Sequence, residues 1–190
     1  MSIYKSLTAR FCVPLWEKLR GISVRSRITE YHRIYQFSKE DLNSYRKNKL
    51  IRLIKHSIEK VPYYRNMNIE QNINVKQDSI DSLLSKFPVL SRELLIANNQ
   101  DMIADDYSMS NLERGTSSGS TGVPVTYWKD KHAETAAEAS KYFGWLQAGY
   151  GFGDKSATIW GNRQTVDSIW PKPSSRLKAK LFRQLRIAAC

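Results

Sequence analysis

The feature that most restricts the fold is a run of small residues, TSSGSTGVPV at positions 116–125, because segments that read as short strands flank it on both sides. Those strands are predicted at residues 112–116 and 123–128. A helix that Asp130 can cap comes next, and residues 156–160 read as a buried strand. Strand, loop, strand, helix, strand is an order typical of α/β domains, so we predict an α/β fold.

The first twenty residues predict an amphipathic helix that is broken near Pro14. Its apolar positions recur every four residues, and they are Ile3, Leu7, Phe11, Leu15 and Leu19. Basic side chains, among them Arg10 and Lys18, are distributed over other faces of the helix. Such a helix more commonly packs its apolar stripe on its own domain, which we expect here. The alternative is contact with an anionic membrane surface.

Two further helices are marked by capping residues. Ser38 and Asp41 have the spacing of a capping box, and the helix that they begin is predicted to end at Pro62. Ser91 can cap a short helix at residues 92–96.

Charge is distributed unevenly along the chain. Residues 1–65 contain fifteen basic and five acidic residues, and residues 172–190 contain six basic and no acidic ones. Residues 67–78 are rich in Asn and Gln and read as a surface loop. We therefore predict a basic helical arm at residues 1–66 and a partial α/β domain at residues 67–190.

Other compositional signals favour a cytoplasmic protein. Cys12 and Cys190 lie far apart, which supports neither a disulfide framework nor a cysteine metal site. Lys5, Arg10 and Lys18 interrupt the N-terminal apolar residues, so we predict neither a secretory signal nor a membrane span. Three scattered histidines have no metal-ligand spacing, and no metal site is predicted from them; they are His32, His56 and His132.

The small-residue run has the chemistry of a phosphate-binding loop. Glycine lets backbone amides turn toward an anion, and hydroxyl groups donate further hydrogen bonds. The candidate phosphate-binding residues are Ser117, Ser118, Gly119, Ser120, Thr121 and Gly122. A flexible linker would have a similar composition, but we would not expect it to lie between two strands and end in a rigid proline. A plain structural turn remains the alternative at this point.

The run SSGSTGVP at residues 117–124 resembles the phosphate-loop signature of the adenylate-forming enzymes. Other stretches are similar to one branch, the phenylacetate-coenzyme A ligase-like proteins, which include capsular polysaccharide biosynthesis proteins of the CapK type. Those stretches are VPYYRN at 61–66, FPVLSRELL at 87–95, YWKD at 127–130 and GDKSATIWG at 153–161. They occur in the family's order.

This resemblance implies ATP-dependent activation of a carboxylic acid to an acyl-adenylate, followed by transfer of the acyl group to coenzyme A or another acceptor. The loop would bind the β- and γ-phosphates of ATP, and Mg²⁺ would accompany the nucleotide. A small carboxylic acid would be the other substrate. The resemblance assigns no catalytic residue in this chain. Trp160 and Trp170 could line an acyl pocket, although core packing is the commoner use of such residues, and Arg163 could meet a carboxylate or phosphate.

The resemblance covers only the N-terminal part of those enzymes, so we expect an N-terminal fragment or truncated product with little ligase activity by itself. The last residues, 176–189, read as a helix. A parallel sheet cut short would leave an unpaired edge and exposed apolar surface. The alternative function is a non-enzymatic basic module that binds an anionic membrane surface or an acidic polymer, and nucleic acid is the weaker form of this alternative because no nucleic-acid-binding motif is present.

Overall fold

The computed structural model describes residues 3–71, 79–117, 123–159, 177 and 179–187. These residues form helices and two small sheets, an architecture compatible with the predicted α/β class. The helices are α1 (Ile3–Leu7), α2 (Val13–Arg20), α3 (Val24–Tyr35), α4 (Lys39–Lys60), α5 (Pro62–Gln71), α6 (Ile80–Ser85), α7 (Arg92–Ala97) and α8 (Lys131–Gln147). A π-helical turn (Thr8–Cys12) joins α1 to α2, and a 3₁₀ turn (Met109–Asn111) precedes the first strand.

Among the described residues, four strands form two separate two-stranded sheets. Strands β1 (Glu113–Thr116) and β2 (Thr126–Lys129) pair antiparallel, and β3 (Ser156–Ile159) and β4 (Gln184–Ile187) pair parallel. The strands expected on both sides of the small-residue run are confirmed, although β1 begins one residue later than expected and β2 begins three residues later and ends one residue later.

The chain divides into two compact units, one of residues 1–32 with 135–190 and the other of residues 33–134. One cluster of buried apolar side chains in the first unit contains Ile22, Val24, Ile28, Ala139 and Tyr142. A cluster in the second unit contains Ile54, Ile58 and Leu83. The division into an arm at 1–66 and a domain at 67–190 stays a prediction.

The capping predictions are confirmed. The backbone N–H of Asp41 donates to Ser38 Oγ over 3.1 Å at the start of α4, and the Leu94 N–H donates to Ser91 Oγ over 3.3 Å at the start of α7. Asp130 Oδ1 accepts from the Ala133 N–H over 2.7 Å and so caps α8. Each bond satisfies a donor that a helix start leaves without an intrahelical partner.

The expected helix break at Pro14 is wrong, because helical backbone continues from Ile3 to Arg20. The ring of a helical proline crowds the carbonyl four residues earlier, which is that of Arg10. This carbonyl lies in the π turn, where the Val13 N–H donates to Thr8 O, a five-residue step. The wider turn accommodates the proline within the helix.

Two expectations for loop and helix boundaries are also wrong. Pro62 ends α4 as expected, but it begins α5, because proline at the first helical position needs no N–H donor. This helix extends to Gln71, so the expected surface loop does not begin at residue 67, and residues 72–78 lie outside the described residues.

The expected helix at residues 176–189 is only partly formed. Residues 179–181 are helical, and Arg183 then adopts a left-handed conformation with φ of 53°. The chain turns there into β4, which pairs with β3. The prediction that β3 is buried is wrong, because Ala157, Thr158 and Ile159 are exposed.

We predict that Ser38→Ala lowers the free energy of unfolding by about 1 kcal/mol, because α4 loses its N-terminal hydrogen bond. Urea denaturation followed by circular dichroism measures the change. The matched control is Ser44→Ala, an exposed position inside α4, where alanine is the better helix former and no loss is expected. Equal destabilisation by both changes would contradict the capping role of Ser38.

Candidate functional site

The candidate site is the loop between β1 and β2, whose two ends are joined by hydrogen bonds. The Ser117 N–H donates to Val125 O over 2.9 Å, and the Val125 N–H donates to Ser117 Oγ over 2.9 Å. These bonds extend the antiparallel register, in which Thr116 pairs with Thr126. The ends of the loop are therefore fixed at the end of a hairpin, which a free linker would not require.

Side chains in and just after α7 hold the second half of this hairpin, which consists of β2 and the residues that lead into it. Arg92 Nε donates to Val123 O over 2.9 Å, within the segment that enters β2. Asn99 Nδ2 donates to Thr126 O over 2.7 Å, and Asn99 Oδ1 accepts from Trp128 Nε1 over 3.4 Å. Asn99 thus binds β2 through the main chain of Thr126 and through the side chain of Trp128.

Of the candidate phosphate-binding residues, the structure describes Ser117, which is exposed. The others lie outside the described residues, and they are Ser118, Gly119, Ser120, Thr121 and Gly122. Three further candidates also lie outside them: Trp160, Arg163 and Trp170.

A cleft of about 360 Å³ lies along β2. Apolar side chains such as Leu95, Met102 and Ile103 form part of its wall, and Lys129 and Asp130 contribute charged groups. A cleft of this size is within the range that accommodates small molecules. Its lining suits a ligand that has an apolar body and one polar end.

Asp130 caps α8, and its pKa is shifted from the usual value of an aspartate. Tyr107 Oη donates to Asp130 Oδ2 over 2.7 Å, beside the bond from the Ala133 N–H. Burial by itself raises the pKa of Asp130, but these hydrogen bonds and the neighbouring His132 together outweigh it, and the pKa lies below its usual value. The same bond to Asp130 raises the pKa of Tyr107 above its usual value.

Two of the three histidines neighbour residues of the cleft: the His56 ring lies edge-on to Tyr107 at 6.4 Å between ring centroids, and His132 contributes to the lowered pKa of Asp130. His32 stacks edge-on against Phe143 at 5.0 Å between ring centroids, and His56 Nε2 lies 3.1 Å from Asp106 Oδ2. His132 is exposed at the start of α8. Across the described part of the chain, no group of three or more His, Cys, Asp or Glu side chains is placed to hold a metal ion.

Sequence reasoning did not assign a role to Arg92, Asn99 or Tyr107. Arg92 lies in a stretch that carries the family resemblance, but the sequence predicted only that it belongs to a short helix. Asn99 reaches across 27 positions to Thr126, and Tyr107 reaches across 23 positions to Asp130. No local spacing rule indicates such pairs in a single sequence.

Comparison with protein-family models gives no match, and comparison with curated proteins gives none either. The family relationship therefore stays a proposal that depends on the motifs quoted above.

We predict that Tyr107→Phe raises the pKa of Asp130 toward its usual value, because the carboxylate loses a hydrogen bond to its charged form. Carboxyl-carbon NMR during an acid titration measures that pKa. The depressed pKa means that stability contributed by Asp130 is present above its unfolded pKa and disappears as the pH falls through the folded value. In the variant this contribution should therefore be smaller, and its loss, which begins at the same unfolded pKa, should be complete at a higher pH.

The matched control is Tyr127→Phe, which removes a tyrosine hydroxyl from β2 and leaves the Tyr107–Asp130 bond in place. It should leave the pKa of Asp130 unchanged. An unchanged pKa in Tyr107→Phe as well would show that the phenol does not stabilise the carboxylate.

Proposed function

We propose that the chain contributes the phosphate-binding loop of an ATP-dependent, AMP-forming carboxylate ligase similar to phenylacetate-coenzyme A ligases. The supporting observation is that the glycine- and hydroxyl-rich run begins and ends at a hairpin, where Ser117 and Val125 exchange hydrogen bonds. Fixed ends reduce the conformational entropy that the loop loses when it binds an anion. The proposal extends to capsule or surface polysaccharide biosynthesis only through the CapK-type resemblance.

The proposed chemistry begins when a carboxylate oxygen of the acid attacks the α-phosphorus of ATP. The bond from that phosphorus to the bridging oxygen breaks, and pyrophosphate leaves with the electron pair, so negative charge accumulates on the β- and γ-phosphates. Donors placed in advance around this charge lower the barrier. We assign this role to the backbone amides of Gly119 and Gly122 and to the hydroxyls of Ser118, Ser120 and Thr121.

The second half-reaction would transfer the acyl group to a thiol such as coenzyme A, or to another acceptor, with release of AMP. Mg²⁺ would supply charge neutralisation at the phosphates. It commonly binds proteins through substrate phosphates with only one or two carboxylates, so the proposal does not require a preformed metal cluster. No described residue is assigned to catalysis.

We predict that ATP with Mg²⁺ protects the loop from limited proteolysis in a saturable manner, because bound phosphates hold residues 117–122 in one arrangement. Pyrophosphate should also protect it, since it presents the same two phosphoryl groups. AMP should not, because it lacks them. Mass spectrometry of the cleavage products locates the protected bonds and gives the apparent affinity of each ligand.

The loop variant is Ser120→Ala combined with Thr121→Val, which removes two hydroxyl donors and should weaken protection by about ten-fold or more. The matched control is Ser110→Ala, which removes a hydroxyl outside the loop, in the turn before β1. Protection by AMP equal to that by ATP, or no protection by ATP, would contradict the proposed role of the loop.

A further inference from the structure

An apolar stripe on the N-terminal helical run is exposed, although the sequence led us to expect it to be packed on its own domain. We call Ile3–Arg20, which comprises α1, the π turn and α2, the N-terminal run. The exposed stripe consists of Ile3 (80% exposed), Leu7 (50%), Phe11 (66%), Leu15 (56%) and Leu19 (77%). Five large apolar side chains on one helical run exceed the scattered exposure that is normal for a protein surface.

The opposite face attaches the N-terminal run to its own unit. Thr8, Val13 and Glu17 are buried there. Trp16 packs edge-on against Phe182 at 5.6 Å between ring centroids. The N-terminal run is therefore packed on its own unit through this buried face, and the exposed stripe remains free to contact another surface.

The π turn helps to keep the stripe on one side of the N-terminal run. In an α-helix a step of four residues overshoots a full turn by roughly 40°, so a strict four-residue repeat drifts around the helix. Residues in a π turn advance by a smaller angle, because hydrogen bonds connect positions five apart. The turn at Thr8–Cys12 lies between Leu7 and Leu15 and reduces this drift in the middle of the stripe.

Positive charge is concentrated in the same unit. Residues 1–32 and 135–190 contain fifteen basic and five acidic residues, a formal charge of +10 out of the +12 of the whole chain. Arg10 and Lys18 are exposed and directly precede the stripe residues Phe11 and Leu19 in the sequence.

Acidic side chains offset only part of this charge on the N-terminal run, where Lys5 Nζ lies 2.7 Å from Asp154 Oδ1. Glu17 is buried and pairs with Arg25, whose Nε lies 2.8 Å from Glu17 Oε2. It is the only acidic residue in the sequence of the run. The exposed surface therefore combines apolar side chains with basic ones.

We propose that this surface docks on an anionic lipid membrane, with the exposed stripe in the acyl boundary and the basic side chains at the lipid phosphates. A lipid surface supplies both an apolar phase and negative charge, as an amphipathic basic helix requires. An acidic polymer or nucleic acid would supply charge alone and leave the stripe in water. A second copy of the chain would bring together two units of +10.

Docking of this kind is peripheral. Within the part of the chain that the structure describes, no helix has both the length and the apolar character needed to cross a membrane. The inference is independent of the proposed nucleotide role, because the exposed stripe and the β1–β2 hairpin belong to different units.

The test is sedimentation of the 190-residue chain with vesicles of phosphatidylcholine alone and of phosphatidylcholine mixed with phosphatidylglycerol. Binding is expected to the mixed vesicles, at least about ten-fold tighter than to the neutral ones, and to weaken as salt is added. The stripe variant is Leu7→Ser, Phe11→Ser and Leu15→Ser together, which should weaken binding to mixed vesicles by about 100-fold. Arg10→Gln with Lys18→Gln should weaken it by about ten-fold or more.

The matched control is Leu53→Ser with Val89→Ser, since both side chains are exposed and apolar but lie in the other unit. It should bind vesicles like the unmodified chain. Circular dichroism verifies that each variant is folded. The stripe residues are exposed, so their replacement is not expected to unfold the chain.

Three results would overturn the proposal. The folded chain could fail to bind mixed vesicles, or the stripe variant could bind as well as the unmodified chain. Light scattering could also show that the unmodified chain forms dimers that the stripe variant does not form, in which case the stripe is an interface between copies of the chain.

Discussion

The antiparallel pairing of β1 with β2 is the constraint on which the candidate site depends, because it determines where the phosphate-loop candidate begins and ends. Gly115 faces Tyr127 in this register, and a β-carbon on the glycine would lie 2.5 Å from the tyrosine ring. The ring therefore occupies space that only glycine leaves open, an arrangement that stabilises a glycine within a sheet. Arg92 and Asn99 then attach the second strand to the rest of its unit.

The two units differ strongly in charge, and each charge suits a different one of the two proposed ligands, the nucleotide and the anionic membrane. The unit that contains the hairpin, residues 33–134, has fifteen basic and thirteen acidic residues, a formal charge of +2. Specific binding of a nucleotide there would have to come from directed amides and hydroxyls, because the surrounding charge is nearly balanced. The other unit has +10 together with the exposed stripe, and it suits an extended anionic surface. Salt should therefore weaken membrane docking more than nucleotide binding.

Helix caps, which depend on neighbouring residues, could be predicted from the sequence, whereas contacts between distant residues could not. Ser38, Ser91 and Asp130 were correctly identified as helix caps because each cap bonds a donor only three positions away. Strand β4 was wrongly predicted to be helical. Its partner β3 lies 28 positions earlier, and no local pattern in the sequence indicates this pairing. The exposed stripe was predicted to be packed, because periodicity shows that a helix has an apolar face but not what covers it. In the candidate site, the composition of the loop could be recognised from the sequence, whereas the hydrogen bonds of Asn99 to β2 could not be predicted.

The most direct test of the central claim is a titration of the ¹⁵N-labelled chain with pyrophosphate, followed by amide NMR. A phosphate loop with fixed ends predicts saturable shifts concentrated in residues 117–125, with the largest at the glycine amides 119 and 122 and little change among basic residues elsewhere. Shifts that spread over lysines and arginines of both units without saturation would contradict the account. They would show that the chain binds anions through its general positive charge and that the hairpin does not position a phosphate site.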